Sequence, residues 1–174
     1  MTVVDAEMYE TILVPTDGSE GALAAADHAI DVAGRYGATV HALFVADTRM
    51  SPISSGMDRE DLFDLLEGAG GNPTAPVIER AEAAGVAAVE HVEAGVPYRV
   101  IRRYVEDNDV DLVVMGTHGR TGLEHALLGS LTERAVRTLG VPVLAVPIDG
   151  ARERAETGDG DTGDKSGVED GTAT

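Results

Sequence analysis

Cysteine and tryptophan are both absent from these 174 residues. Without thiols there is no disulfide framework and no thiolate metal site, and a reducing cytoplasm is the simplest expected setting. Aromatics are scarce, four Tyr and two Phe, so the apolar fraction comes from Ala and Val instead. Lysine is nearly missing too: Lys165 is the only one, and every other basic side chain is arginine. Thirteen basic against 31 acidic side chains leave a net charge of −18, which argues against a DNA- or RNA-binding surface. No stretch reaches the roughly 18 consecutive apolar residues of a membrane span. The first ten residues are acidic and lack a basic region followed by an apolar block, so no secretory signal is expected.

Strong acidity, scarce lysine and an Ala/Val-rich interior together resemble cytoplasmic proteins of salt-loving organisms. The physical reason is that self-repulsion becomes tolerable when molar salt shrinks the Debye length to ~3 Å. Part of the charge belongs to the last 26 residues, 149–174, but acids are also spread along the body of the chain. That final segment is Gly, Asp, Glu and Thr with almost nothing to bury, and disorder is expected there.

The length suits one domain, residues 1–148, plus appendages. Five apolar, β-branched runs alternate with helical patterns. Residues 11–15 read as a first strand, and 19–36 as a helix with Leu23, Ala26, Ile30 and Ala33 on one face and Gly37 as its stop. A second strand follows over 39–45, a helix over 77–84 ending at Gly85, and a weaker third strand over 86–92. Pro97 suits the first position of a helix whose apolar face is Val100, Ile101, Tyr104 and Val105. Strand 112–115, helix 130–139 and strand 143–146, between Pro142 and Pro147, complete the pattern. Residues 49–76 break it and read as a mobile excursion with a short helix near 58–67. Strands without period-2 alternation, separated by helices, mean a parallel sheet covered on both faces. Right-handed crossovers leave few topologies, and an open, doubly wound, five-stranded sheet in the order 3-2-1-4-5 is expected.

In such a sheet, ligands bind beyond the carboxyl ends of the strands where the winding reverses. Two loops would converge there: Pro15-Thr16-Asp17-Gly18-Ser19, and the loop opened by Met115-Gly116-Thr117-His118-Gly119 and closed by Gly129-Ser130. A strand, a glycine-punctuated loop and a helix N-terminus form a backbone device for holding an anion. Glycine allows close approach of main-chain N–H groups, and a helix's first turn has N–H groups with no partner of their own. A phosphorylated ligand, a nucleotide above all, is the expected occupant, and a side chain at Gly119 or Gly129 is expected to displace it. Asp17 either meets a ribose, base or phosphate-bound metal, or serves as a helix cap; position alone leaves both readings open. The loop is neither a Walker motif nor a Gly-x-Gly-x-x-Gly fingerprint.

The whole pattern is more specific than its parts: Gly116, two residues, Gly119, nine residues, then Gly129-Ser130. With Pro15-Thr16-Asp17-Gly18-Ser19 and the terminal Val141-Pro142-Val143-Leu144-Ala145-Val146, it resembles the nucleotide-binding branch of the universal stress protein family, over about residues 10–147. That resemblance implies ATP, with Gly116, Gly119, Gly129 and Ser130 on the ribose and phosphates and the Leu131 amide as a further donor. It further implies Asp17, Pro15 and Thr16 at the nucleoside, Val45 at the adenine edge and Met115 near the base. Arg120, next to Gly119, is placed to meet a phosphate or to stand exposed with no role. Whether Mg²⁺ or Mn²⁺ accompanies the phosphates, and whether ADP or AMP replaces ATP, stays open.

His118 and His125 invite a catalytic role, but no Ser-His-Asp order or metal-ligand spacing involves them. The loop also lacks the lysine and the water-orienting residue that phosphoryl transfer uses. No catalytic residue and no protein metal site are assigned. The expectation is a regulatory or protective nucleotide-binding protein, homodimeric through strand 143–146. Its alternatives are a slow ATPase or nucleotidyl-transfer enzyme on the same fold, and a nucleotide-free dimeric interaction module.

Overall fold

The computed structural model describes residues 8–50, 57–118 and 128–147. Gly119, Arg120, His125 and the acidic terminal segment lie outside them. Among the described residues, five strands and five helices follow in the order β1 (Thr11–Pro15), α1 (Glu20–Tyr36), β2 (Thr39–Asp47), α2 (Arg59–Gly68), α3 (Ala75–Ala83), β3 (Ala88–Gly95), α4 (Pro97–Asp107), β4 (Leu112–Gly116), α5 (Ser130–Thr138) and β5 (Val143–Val146). The strands form one parallel sheet in the order β3-β2-β1-β4-β5, as the alternation requires. Asp111 ties the amino edge together, its carboxylate accepting the N–H groups of Glu10 and Thr11 at 2.8 and 2.9 Å.

One face of the sheet is closed by α1 and α3. Helix α1 turns a stripe of small residues inward (Ala22, Ala25, Ala26, Ala29 and Ala33, with Ile30) against Ile12, Val14, Val40 and Val114. Small side chains let the helix lie close to the strands, which is where the alanine of the composition goes. Gly37 ends the helix in the left-handed region, φ 71°, so that Ala38 N–H can reach the Ala33 carbonyl. The other face is closed by α4 and α5, with Val100, Ile101, Tyr104 and Ala135 over Leu13, Leu43, Val113 and Met115. Pro97 takes the first position of α4, and the expected apolar face of that helix is the buried one.

Two departures from the expected elements have local causes. The third strand begins at Ala88 rather than 86 and runs to Gly95. Val86 is used instead to close α3, its N–H donating to the Ala81 carbonyl beyond Gly85 at φ 69°. At the far end, β3 continues past Val92 because β2 runs beside it to the pair Asp47–Gly95, four residues past the last β1 partner, Leu43. Within the irregular stretch 49–76, α2 docks rather than standing apart: Leu62 and Leu66 are buried against Ala46 and Val92.

Candidate nucleotide site

Because β1 and β4 are neighbours whose connections leave in opposite directions, a crevice opens beyond their carboxyl ends. It holds a cavity of about 800 Å³, within the range of pockets that enclose small ligands. The long β2 supplies one wall, the start of α4 another, and the β1–α1 and β4–α5 loops the floor. A second, shallower hollow of about 430 Å³ between α1 and the end of α3 holds no comparable convergence of loops or helix starts.

The β1–α1 loop meets several of its own backbone N–H groups with its side chains. Thr16 is buried, its N–H donating to the Leu43 carbonyl at 2.8 Å and its hydroxyl accepting from Gly18 N–H at 3.1 Å. Gly18 has φ 75°, a left-handed conformation that suits glycine. The Asp17 carboxylate accepts from Ser19 N–H at 3.0 Å, and Ser19 Oγ in turn accepts from Ala22 N–H at 3.3 Å as the N-cap of α1. Asp17 is therefore not the cap; it braces the residue that is. It also lines the cavity.

The β4–α5 loop behaves differently. Thr117 N–H donates to the Val146 carbonyl, and its own carbonyl accepts from Gly129 N–H at 2.6 Å, bringing both ends of the loop together. Buried Thr132 locks the pair further, its hydroxyl donating to the Gly116 carbonyl at 2.9 Å. Gly129 is the N-cap of α5 and offers no side chain. Glu133 N–H makes the helix's first bond, to the Gly129 carbonyl. The N–H groups of Ser130, Leu131 and Thr132 have no acceptor among the described residues, and all three residues line the cavity. Three amides and the positive end of a helix dipole make an anion seat.

Both described glycines of the loop are required by the protein itself. A Cβ at Gly116 would lie 2.7 Å from the Gly21 carbonyl oxygen, where α1 crosses β4; one at Gly129 would lie 2.9 Å from the Thr117 oxygen. The expectation that a side chain at Gly129 displaces the ligand therefore needs correcting. Such a side chain meets backbone first.

Of the residues singled out from the sequence, the fold brings Pro15, Thr16, Asp17, Val45, Met115, Gly116, Gly129, Ser130 and Leu131 around one cavity. Tyr98, Arg134 and the Asp47–Arg49 pair also line it and were not read from the sequence. Arg49 forks onto Asp47 at 2.9 and 2.7 Å, and this hydrogen-bonded guanidinium holds the Asp47 carboxyl below its usual range. Tyr98 follows Pro97 at the start of α4, and Arg134 lies four residues after Ser130 on α5. Those positions mark them only once both helix starts are known to face the same crevice. His118 makes a local bond, its Nδ1 3.1 Å from Thr117 Oγ1.

Comparison with known proteins agrees with this architecture. Residues 8–147 match the sequence profile of the Universal stress protein family. The universal stress protein MJ0531 of Methanocaldococcus jannaschii is 40% identical over 143 residues, covering 80% of this chain and 82% of its own. A second protein of that organism, MJ0577, is 31% identical over 160 residues. The solved structure of MJ0577 superposes with a TM-score of 0.69 at 33% identity, over 81% of this chain and 97% of that one. A universal stress protein solved in complex with cAMP superposes at 0.62 with 28% identity, over 80% and 97% of the two chains. Sheet order, paired loops and profile converge on one conclusion: the chain belongs to the universal stress protein family.

Proposed function

We propose that this protein binds an adenine nucleotide, ATP in the first instance, in the cavity beyond β1 and β4. The observation that carries the reading is the start of α5, which has no side-chain cap and whose first three residues line a cavity of about 800 Å³. Phosphate would take those amides, and Asp17, Val45 and Met115 would meet the nucleoside. The related structure that holds cAMP supports an adenine nucleotide as the class. Gly119 and Arg120 extend the same loop and join the proposed contacts. The described residues contain no group of three or more His, Asp or Glu able to hold a metal ion. A Mg²⁺ or Mn²⁺ ion would therefore be carried mainly by the phosphates, with Asp17 as the nearest carboxylate of the loop. Occupancy, rather than turnover, would be the signal, in a regulatory or protective role.

Calorimetric titration of ATP into the full chain, together with identification of any nucleotide released on denaturing the purified protein, tests the reading. Saturable binding with one site per chain is expected. No heat and no released nucleotide would remove it.

Two further elements of the reading concern the surface. A second copy would pair antiparallel along β5, an edge strand with Leu144 exposed and Val143 and Ala145 half-covered, beside exposed Val136 on α5. Edges of monomers are usually blunted by charge, and this one is apolar. Light scattering on the parent and on Leu144→Asp, both in high salt, should show a dimer and its loss. The acidic excess would suit a salt-rich, reducing cytoplasm. Its melting temperature should then climb from dilute buffer to molar KCl, and a flat response would count against that setting.

A further inference from the structure

The charges lining the cavity are mostly spoken for. Arg49 is bound twice to Asp47, and Glu133 is bridged by Arg137 at 3.2 Å. Arg134 is the exception: it lines the cavity and has no carboxylate partner among the described residues. In a chain with 31 acidic and 13 basic side chains, a cavity-lining arginine with no carboxylate partner among the described residues stands out.

What holds it is an aromatic face. The Arg134 guanidinium carbon lies 4.0 Å from the centroid of the Tyr98 ring. Tyr98 is itself fixed across the gap between α4 and α5, its hydroxyl 2.6 Å from Thr138 Oγ1, one turn beyond Arg134 on the same helix. A guanidinium on a ring face keeps its full charge and leaves its in-plane N–H donors available, whereas a carboxylate partner would occupy them. The position along α5 adds direction. Arg134 stands four residues after Ser130, about 6 Å along the axis, and helical side chains lean toward the helix N-terminus. That tendency would carry the guanidinium toward the start of α5, where Ser130, Leu131 and Thr132 line the same cavity. A phosphate seated on their amides would leave any further phosphates as the groups nearest this cation.

We infer that Arg134, positioned by Tyr98, is the residue that makes the site prefer nucleotides with two or three phosphates over monophosphates. The inference rests on the nucleotide reading of the cavity. Tyr98 is a positioning residue: it touches the arginine, and it acts by presenting that side chain.

Isothermal titration of ATP, ADP and AMP into the full-length parent, Arg134→Gln, Tyr98→Ala and Tyr98→Phe, at several salt concentrations, tests it. Arg134→Gln keeps most of the side chain's length and removes its charge. It should lower ATP affinity about tenfold, reduce the salt dependence of ATP binding, and leave AMP within about twofold. Tyr98→Ala should lower the ATP-to-AMP preference in the same direction, whereas Tyr98→Phe, which retains the ring face, should keep most of it. An unchanged ATP-to-AMP ratio in Arg134→Gln overturns the inference while leaving the nucleotide reading intact, since AMP still binds. Equal losses for ATP and AMP overturn it too, because the contact would then lie on the part common to both. A parent that binds none of the three nucleotides overturns both.

Discussion

The loops that follow β1 and β4 stand side by side at the same edge of the sheet, and each delivers the chain into a helix. Both begin with the same deficit, a first helical turn whose N–H groups have no partner within the helix. After β1 the loop meets part of it internally: Ser19 Oγ caps Ala22 N–H, while Asp17 and Thr16 Oγ1 take the N–H groups of Ser19 and Gly18 just ahead of the helix. After β4, Ser130, Leu131 and Thr132 N–H find no acceptor among the described residues, with a glycine where a capping side chain would stand. With glycine as its N-cap, helix α5 forgoes roughly a few tenths of a kcal/mol relative to a capping side chain. An anion arriving from solution would restore it. On the proposed reading, the first loop is scaffold and the second is receptor.

The comparison can be broken most severely at the point where the two loops touch. Gly116 faces the backbone of Gly21 in the first turn of α1, and neither chain can yield by rotating a side chain. Gly116→Val should therefore separate α1 from β4 and destabilise the protein by about 3 kcal/mol, the upper end of ordinary overpacking. Chemical denaturation measures it, and a wild-type midpoint would show that the close approach is not needed.

Closing the receptor loop without disturbing the fold is the next largest change. Ser130 is exposed at the first position of α5, and Ser130→Asp places a negative charge at the helix start. The helix should gain from that charge, while a phosphate would be repelled from the amides. ATP affinity should fall ten- to a hundredfold, about 1.5–3 kcal/mol, with no fall in melting temperature. Affinity equal to the parent's would place the anion elsewhere. This variant replaces any test at Gly129, where an added side chain strikes Thr117 before it reaches a ligand.

Opening the scaffold loop should do the reverse at smaller scale. Ser19→Ala removes the α1 cap and should lower stability by about 1 kcal/mol. Nucleotide affinity should stay within about twofold. A large loss of binding without loss of stability would mean that this loop, too, is a receptor.

The smallest expected effect lies beside the site, under α4. His41 Nδ1 is 2.9 Å from the Tyr104 hydroxyl, and the His91 ring packs on the same tyrosine. Burial, and then the neighbouring His91, hold the His41 imidazole below its ordinary value of 6.5. Glu93 and Arg103, ion-paired to each other, stand nearby, with Glu93 also 3.6 Å from His91. With the folded value depressed, only the unfolded chain takes up this proton as pH drops below 6.5. Stability from this group is thus full above that pH and declines as pH falls toward the folded value. The melting temperature of His41→Gln should fall less between pH 7 and 5 than the parent's. Parallel pH curves would assign the acid sensitivity to other groups.

How much of this could be read from the chain varies with the distance in sequence over which each feature is decided. The strands, the stop at Gly37 and the start of α4 at Pro97 are legible because each depends on a few adjacent residues and on local backbone preference. The β4–α5 loop is legible for the same reason: glycine spacing and a following helical pattern lie within one short segment. The start of β3 is misread by two residues because Val86 has apolar, strand-like character yet is spent on closing α3, a hydrogen bond that outranks β propensity. Nor does the Arg134–Tyr98 stack announce itself, since its members are 36 positions apart and meet only when α4 and α5 lie on the same face of the sheet.

The sequence by itself determined the elements and their parallel winding, because hydrophobic period, glycine and proline act through neighbouring residues and the hand of the crossover is general. Tertiary structure alone decided why the glycines are glycines. Nothing in the spacing distinguishes a glycine that admits a ligand from one that admits another strand or helix of the same protein. Gly116 is set by the backbone of α1, nearly a hundred residues earlier, and Gly129 by the carbonyl of Thr117 across its own loop. The charge of Arg134 is likewise present in the sequence, but its lack of a carboxylate partner among the described residues is not. That depends on which of many acids the fold brings within reach, and the packing of α4 on α5 supplied an aromatic ring instead.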